Sequence, residues 1–403
     1  MHKKIILTVF IGLLTINAVV GQVKTTVPRC ITFEYADLLA IRKSISAGET
    51  TYKASYKLLL STADKLLKKT PEKVTDGDKP PTGDVHDFYA IGKFSWPNPN
   101  TPNGMPYIRG DGKYNPDTFG DRFDLTRFQK TVSYINTLTL AWFFTQDEKY
   151  AAKASEFLKV WFIDPQTLMN PNMECASALP GVYNGMPIGI IFTVVLIEMA
   201  DHIQLLRQSK SWDQTADGQL TKWFIAYKKW LTTSPFGKEE QKATNNHGTW
   251  HSAQLLAYTL LIGNADGVKE QFELAKSQIN SQIMPDGQLP REMKRVEGFH
   301  YFIYGLKAFN VMAKGFEQFG YDLWSYKTPD QKSLMLPHQF IIPYITGKKP
   351  WTTGGSININ DTDALIILKQ SAKKYNLPES KEAIDLLRAN MGAASIKQLY
   401  IVQ

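Results

Sequence analysis

Asn245-Asn246-His247-Gly248-Thr249-Trp250-His251 opens a run whose apolar residues continue through Ala253, Leu256 and Leu261. An asparagine ahead of such a run suits a helix N-cap, because its side-chain oxygen accepts from a first-turn backbone N–H. Asn245 or Asn246 can take that position, and the spacing predicts a helix over 246–263. Eleven further helices are predicted at 34–48, 51–69, 126–145, 147–163, 186–208, 214–233, 267–285, 298–320, 331–347, 362–375 and 378–391. Many carry large apolar residues three and four apart, as with Trp223, Tyr227 and Trp230. Pro and Gly mark the joints, as in Pro235-Phe236-Gly237 and Pro285-Asp286-Gly287. A dozen helices in sequential antiparallel pairs predict an all-α fold, an incomplete (α/α) toroid of about six to seven helix pairs. No repeat of fixed period is present, which disfavours a binding solenoid.

Two stretches break the helical pattern. Residues 73–125 are rich in Pro, Gly, Asp and aromatics, and loops of this length are functional or disordered. The embedded rings Phe94, Trp96, Tyr107, Tyr114, Phe119 and Phe123 argue for order, so the stretch reads as a lid or cleft wall. Residues 348–361 hold Trp351, two glycines, Asn358, Asn360 and Asp361, and could close the other side of a cleft.

The first 21 residues read as a secretory signal: a basic start at His2-Lys3-Lys4, an apolar run from Ile5 to Leu14, and small residues at Ala18-Val19-Val20-Gly21. That run is too short for an ordinary spanning helix, and no other segment is read as approaching membrane length. Export to the periplasm or beyond, with residues 22–403 forming one catalytic domain that acts as a monomer, is the expectation. Loss of residues 1–21 removes Lys3 and Lys4 and no acid, so the net charge of +8 falls to +6. A modest positive charge fits a polyanionic ligand. Lys and Arg are scattered rather than clustered, so nucleic acid is not an expected partner. Cys30 and Cys175 are the only cysteines; they allow one disulfide, which spacing cannot establish, and exclude a cysteine metal site. No cofactor or metal is expected.

About fifty residues after the first motif comes Arg291-Glu292-Met293-Lys294-Arg295, followed by His300-Tyr301-Phe302-Ile303-Tyr304. Together the two motifs supply an amide, an imidazole, a guanidinium and a phenol. Those groups suit β-elimination beside a uronate. The C5 proton is weakly acidic while the attached carboxylate keeps its charge, so a lyase must neutralise that carboxylate to stabilise the enolate-like transition state. It also needs a base at C5 and an acid at the leaving oxygen. Asn246 and His247 stand at a predicted helix start, where N–H groups and the dipole favour an anion and disfavour imidazolium. Trp250 and His251 fall near the same face. Tyr301 and Tyr304 share a helical face, and Arg295 is expected to lower the pKa of Tyr301. Each motif alone also fits a bland reading, a capped helix with a structural histidine or a pair of core tyrosines.

The two segments resemble the alginate lyases of the α/α-toroid type. That family carries an Asn-Asn-His helix start, an Asp-Gly-x-Leu-Pro-x-Glu-x-x-Arg segment and a Tyr-x-x-Tyr helix. Here these read Asn245-Asn246-His247, Asp286 to Arg295, and Tyr301 to Tyr304. Trp96-Pro97-Asn98-Pro99 with Pro106-Tyr107-Ile108-Arg109-Gly110-Asp111-Gly112 resembles the family's lid segment, and Met169-Asn170-Pro171-Asn172 its Asn-Pro-Asn segment. The resemblance spans roughly residues 90–310. It implies an acidic polysaccharide substrate, alginate. It implies that Asn246 and Arg295 neutralise the carboxylate, that His247 is base or neutraliser, and that Tyr301 is acid, or acid and base together. It makes Trp96, Tyr107, Arg109, Asn170 and Asn172 subsite candidates. Trp250, His251, Arg291, His300 and Tyr304 flank the four central groups and are further substrate-binding candidates. The chain departs from the pattern where Phe302 follows Tyr301 and His300 precedes it, and the Arg–Tyr spacing is one residue short. A divergent branch follows, with another polyuronate such as glucuronan as an alternative substrate.

Three other readings compete. A glycoside hydrolase on the same scaffold would need two placed carboxylates; Asp111, Asp121, Glu174 and Asp286 are candidates without a pairing motif. A non-catalytic acidic-sugar-binding protein leaves the imidazole and phenol unexplained. A metal site on His247 and His251 lacks the intervening Glu of a His-Glu-x-x-His helix.

Overall fold

Helices form where the apolar spacing predicts them. The computed structural model describes residues 27–110, 113–359, 361–392 and 394–401. The predicted signal segment, Asp111, Gly112 and Asn360 lie outside the described residues. In chain order the helices are α1 (Tyr35–Ser46), α2 (Lys53–Leu66), α3 (Asp124–Thr145), α4 (Glu148–Phe162), α5 (Val195–Leu206), α6 (Gln214–Thr233) and α7 (Pro235–Gln241). There follow α8 (Asn246–Ile262), α9 (Val268–Gln282), α10 (Pro290–Met293), α11 (Gly298–Glu317), α12 (Met335–Ile345), α13 (Thr362–Tyr375) and α14 (Ser380–Asn390). The predicted helix 186–208 begins as a tight 3₁₀ segment, Pro187–Val194, before relaxing into α5. Two short helices were not predicted. α7 starts at Pro235 with the Ser234 hydroxyl capping Gly237 N–H, inside a Ser-Pro-Phe-Gly stretch that reads as a joint. α10 is a single turn, also opened by proline.

The helices pack as an (α/α) toroid. α8 sits at its centre: apart from His247 and Ile262, every residue from Asn246 to Leu261 is buried. A helix apolar around its whole circumference belongs inside a protein, and α8 touches α5, α6, α7, α9 and α11. Pro187–Leu206 is likewise long and apolar enough to cross a membrane, contrary to the sequence reading, but most of it is buried inside this core.

The lid stretch is ordered by short strands. β1 (Tyr89–Ile91) pairs in parallel with β4 (Cys175–Ala178), while β2 (Ser95–Trp96) and β3 (Ile108–Arg109) form an antiparallel pair. Phe94, Tyr114 and Phe119 pack ring on ring, and the buried Asn115 carboxamide donates to Ser95 O at 2.7 Å. Cys30 and Cys175 are buried free thiols.

The first and last described segments meet against α5. Asp201 of α5 accepts from Ile31 N at 2.9 Å, Thr32 N at 2.7 Å and Thr32 Oγ1 at 2.6 Å. Burial lifts its pKa to about 6, against the pull of those donors. The 3₁₀ turn Ile396–Tyr400 lies on α1 and α2; the Ser55 hydroxyl donates to Gln398 and the Tyr400 phenol bonds His202 Nε2. Asp201→Ala strands three donors at once, one of them the fully buried Ile31 N–H. A loss of roughly 2–3 kcal/mol is expected, read as a lower denaturant midpoint at unchanged slope.

Candidate active site

α8 starts against the end of α7, and this junction builds half of the site. Asn245 is the cap: its side-chain oxygen accepts from His247 N at 3.2 Å. Asn246 is therefore the first helical residue, and its backbone and side chain both serve another group. Glu292 on α10 is 3% exposed and takes Asn246 N on one oxygen at 2.7 Å and Asn246 Nδ2 on the other at 2.6 Å. The anion expected at this helix start is thus first of all the protein's own carboxyl. Burial raises the Glu292 pKa, opposed by the Asn246 donors and by Arg295. Gly248 is required by the same junction, since a Cβ there would lie 2.0 Å from Ala243 O.

His247 points into a cavity of about 1060 Å³. Its Nδ1 lies 2.6 Å from Glu240 Oε1 on α7, and Glu240 is 3% exposed. A carboxylate acceptor fixes the proton on Nδ1 and leaves Nε2 as the nitrogen with a free lone pair. No bond to Nε2 occurs among the described residues.

The other half comes from α11, which packs along α8; a Cβ at Gly305 would make only ordinary contacts there, 3.4 Å from Glu292 Cγ and 3.7 Å from Asn246 Cβ. This face turns His300, Tyr301, Tyr304 and Lys307 toward the cavity. Arg295, in the turn between α10 and α11, lies flat over the Tyr301 ring at 4.2 Å and donates to its hydroxyl at 3.3 Å. Arg295 does pull the Tyr301 pKa down, but burial is the larger effect and Tyr114 of the lid adds to it, so the net direction is upward. The sequence expectation of a lowered pKa is corrected on that balance: Tyr301 is held as a phenol. Tyr304 stacks on Trp250 and His300, and burial pushes its pKa further up. The 348–361 stretch supports this wall from behind, as Gly354 O accepts from Gly298 N at 2.7 Å and Trp351 packs on Phe299.

Asn246, His247, Arg295 and Tyr301 therefore come together, with Arg109, Trp250, His300 and Tyr304 lining the same cavity. The remaining candidates do not reach it. His251 is fully buried with Nε2 on Leu231 O, and burial drops its pKa to about 4. The two imidazoles at four-residue spacing thus do not share the cavity. Asn170 and Asn172 hold Asp84 and Asp87 at the base of the lid. Trp96 covers Gly110, where a Cβ would come within 2.3 Å of the indole, and donates to Lys113 O. Tyr107 packs on the core, and Arg291 is exposed on α10. Glu240, Lys93, Tyr114, Glu198, Lys307, Asp363 and Lys397 line the cavity without having been singled out in the sequence. Only Tyr114 carried a signal, as one of the lid aromatics.

A family model described as alginate lyase matches residues 74–351. The chain belongs to the alginate lyase family. Its fold matches that of an alginate lyase from Bacteroides ovatus at a TM-score of 0.85 and 32% identity, over 94% of this chain and all of the other. Alginate lyase A1-III from Sphingomonas species A1 matches at a TM-score of 0.56 and 16% identity, over 90% of this chain and 93% of that one. A variant of that enzyme complexed with a tetrasaccharide matches at 0.56 and 17%, with the same coverage. No curated protein sequence matches the chain. This alginate lyase family member is a polysaccharide lyase. The hydrolase reading loses its residues: Asp121, Glu174 and Asp286 do not line this cavity, and Asp111 lies outside the described residues. Gly248→Ala is expected to force α8 off the α7 junction. It should cost about 1–3 kcal/mol and lower lyase turnover together with the thermal midpoint.

Proposed function

We propose that this lyase cleaves alginate by β-elimination, with Asn246 and Arg295 neutralising the C5 carboxylate and with His247 and Tyr301 moving the protons. The observation that carries the reading is the pairing across one cavity of an imidazole anchored at Nδ1 by Glu240 with a phenol held protonated beneath a guanidinium. Arg295 offers its remaining N–H groups to the substrate carboxylate. Asn246 has one carboxamide hydrogen on Glu292, which leaves the second for the same carboxylate. The charge that develops on the enolate then meets donors fixed before reaction.

For guluronate, where H5 and the leaving oxygen lie on opposite sides, His247 Nε2 takes the proton and Tyr301 protonates the oxygen. Glu240 supports the imidazolium that results. For mannuronate both lie on one side, and Tyr301 serves as base and then acid. A polyuronate with the same C5 carboxylate, such as glucuronan, is a second substrate class that these groups would accept. Export, on the strength of the basic and apolar N-terminal pattern, would bring the enzyme to such polymers.

Three outcomes test the reading. His247→Ala and Tyr301→Phe should each lower formation of the C4=C5 chromophore by about 10²–10⁴-fold; full activity of both on polymannuronate, polyguluronate and glucuronan would sink it. Glu240→Gln should lower turnover on polyguluronate by up to ~10²-fold and spare polymannuronate more. The pH profiles should also separate. The raised Tyr301 pKa keeps the acid form through neutral pH and loses it only as pH climbs past the ordinary tyrosine value. Guluronate turnover should therefore persist into alkaline solution, while mannuronate turnover, which needs the phenolate first, should peak at higher pH. Coincident profiles would contradict the division of labour.

A further inference from the structure

The cavity does not end at the catalytic groups. From Tyr301 to Val311 the α11 wall advances ten residues, about 15 Å, and both residues line the same space. Its inner end is lined by Lys307, Glu198, Asp363, Lys397, Ile366, Thr32, Phe33 and Tyr400. Thr32, Phe33, Asp363, Ile366, Lys397 and Tyr400 all lie outside the 74–351 stretch that matches the family model. Thr32, Phe33, Ile366 and Tyr400 also line a shallow depression on the opposite side, so the floor there is one layer of side chains thick. That layer is pinned rather than loose. The Phe33 and Tyr400 rings lie 5.2 Å apart, Tyr400 bonds His202, and Thr32 is held by Asp201. Above the floor, Lys307 approaches Asp363 at 3.0 Å and Lys397 approaches the same oxygen at 3.5 Å. Each ammonium has three N–H donors, so a single shared carboxylate leaves donors over. Glu198 lines the same cavity as Lys307 and can accept from hydroxyls.

We infer that this inner end is a closed terminal subsite, in which Lys307 and Lys397 hold the carboxylate of an end uronate while Asp363 and Glu198 take its hydroxyls. The pinned floor stops the chain there. A polymer then enters from the lid side, and its terminal stretch is cut off at Tyr301 as a short product. The subsite rests on the polyuronate reading for the chemistry of its ligand, but its binding can be measured without turnover.

The test begins with calorimetric titration of mannuronate and guluronate tetramers into the Tyr301→Phe protein. Adding Lys397→Met or Lys307→Met should weaken binding roughly tenfold each, the scale of one charge-assisted hydrogen bond. Lys373→Met, beyond the floor, should leave affinity unchanged. Equal affinities in all of these proteins would overturn the subsite, and Lys397, half exposed on a surface turn, gives a variant that folds. Absence of chromophore with every polymer would count against the lyase mechanism and leave this result standing. With the wild-type enzyme, products at the first few per cent of conversion should be short while solution viscosity persists. An early collapse of viscosity with long products would refute the closed end.

Discussion

The buried carboxyl of Glu292 holds the site together. It accepts from both the backbone and the side chain of Asn246 and so fastens α10 to the first turn of α8. A carboxyl this deep is costly unless its oxygens are bonded, and Asn246 satisfies both. α11 packs along α8 beside the same joint, and Arg295 follows from its position in the turn between α10 and α11. The start of α8 and the α10 segment 46 residues later thus reach one point through two short hydrogen bonds. Asn246 and Arg295 are placed by this joint rather than by local helix geometry.

Electrostatics within the site are a contest between burial and charge, and magnitude decides each case. Arg295 lies on Tyr301, yet the low-dielectric surroundings outweigh it and the phenol stays protonated. At Asp363 the balance runs the other way. Lys307 and Lys397 outweigh burial and hold the carboxylate down near 2. The two outcomes leave a neutral phenol on one wall of the cavity and fixed charges on another.

Much of the architecture was legible because it rests on local rules. All twelve predicted helices are present, and the α8, α11 and α13 starts fall within a residue of expectation, since capping and apolar spacing are properties of neighbouring residues. The lid's order could be read from its rings, which do pack on one another. The subsite residues fared unevenly. His251 looked equivalent to Trp250 by spacing, but α8 is buried on every side, so periodicity could not tell the cavity face from the core face. Asn170 and Asn172 share a motif with the family yet spend their amides on Asp84 and Asp87.

The sequence alone determined the helix pairs, the capped start at Asn245 and the amide–imidazole–guanidinium–phenol set, because each is written in residue types at short spacing. Tertiary structure alone decided which face of α8 and α11 meets the cavity, that Glu240 anchors His247, that burial overrides Arg295 at Tyr301, and that the first and last described segments both line the cavity. Those outcomes depend on contacts between residues as much as 367 positions apart, as from Phe33 to Tyr400, and on desolvation, which has no value until the chain has packed.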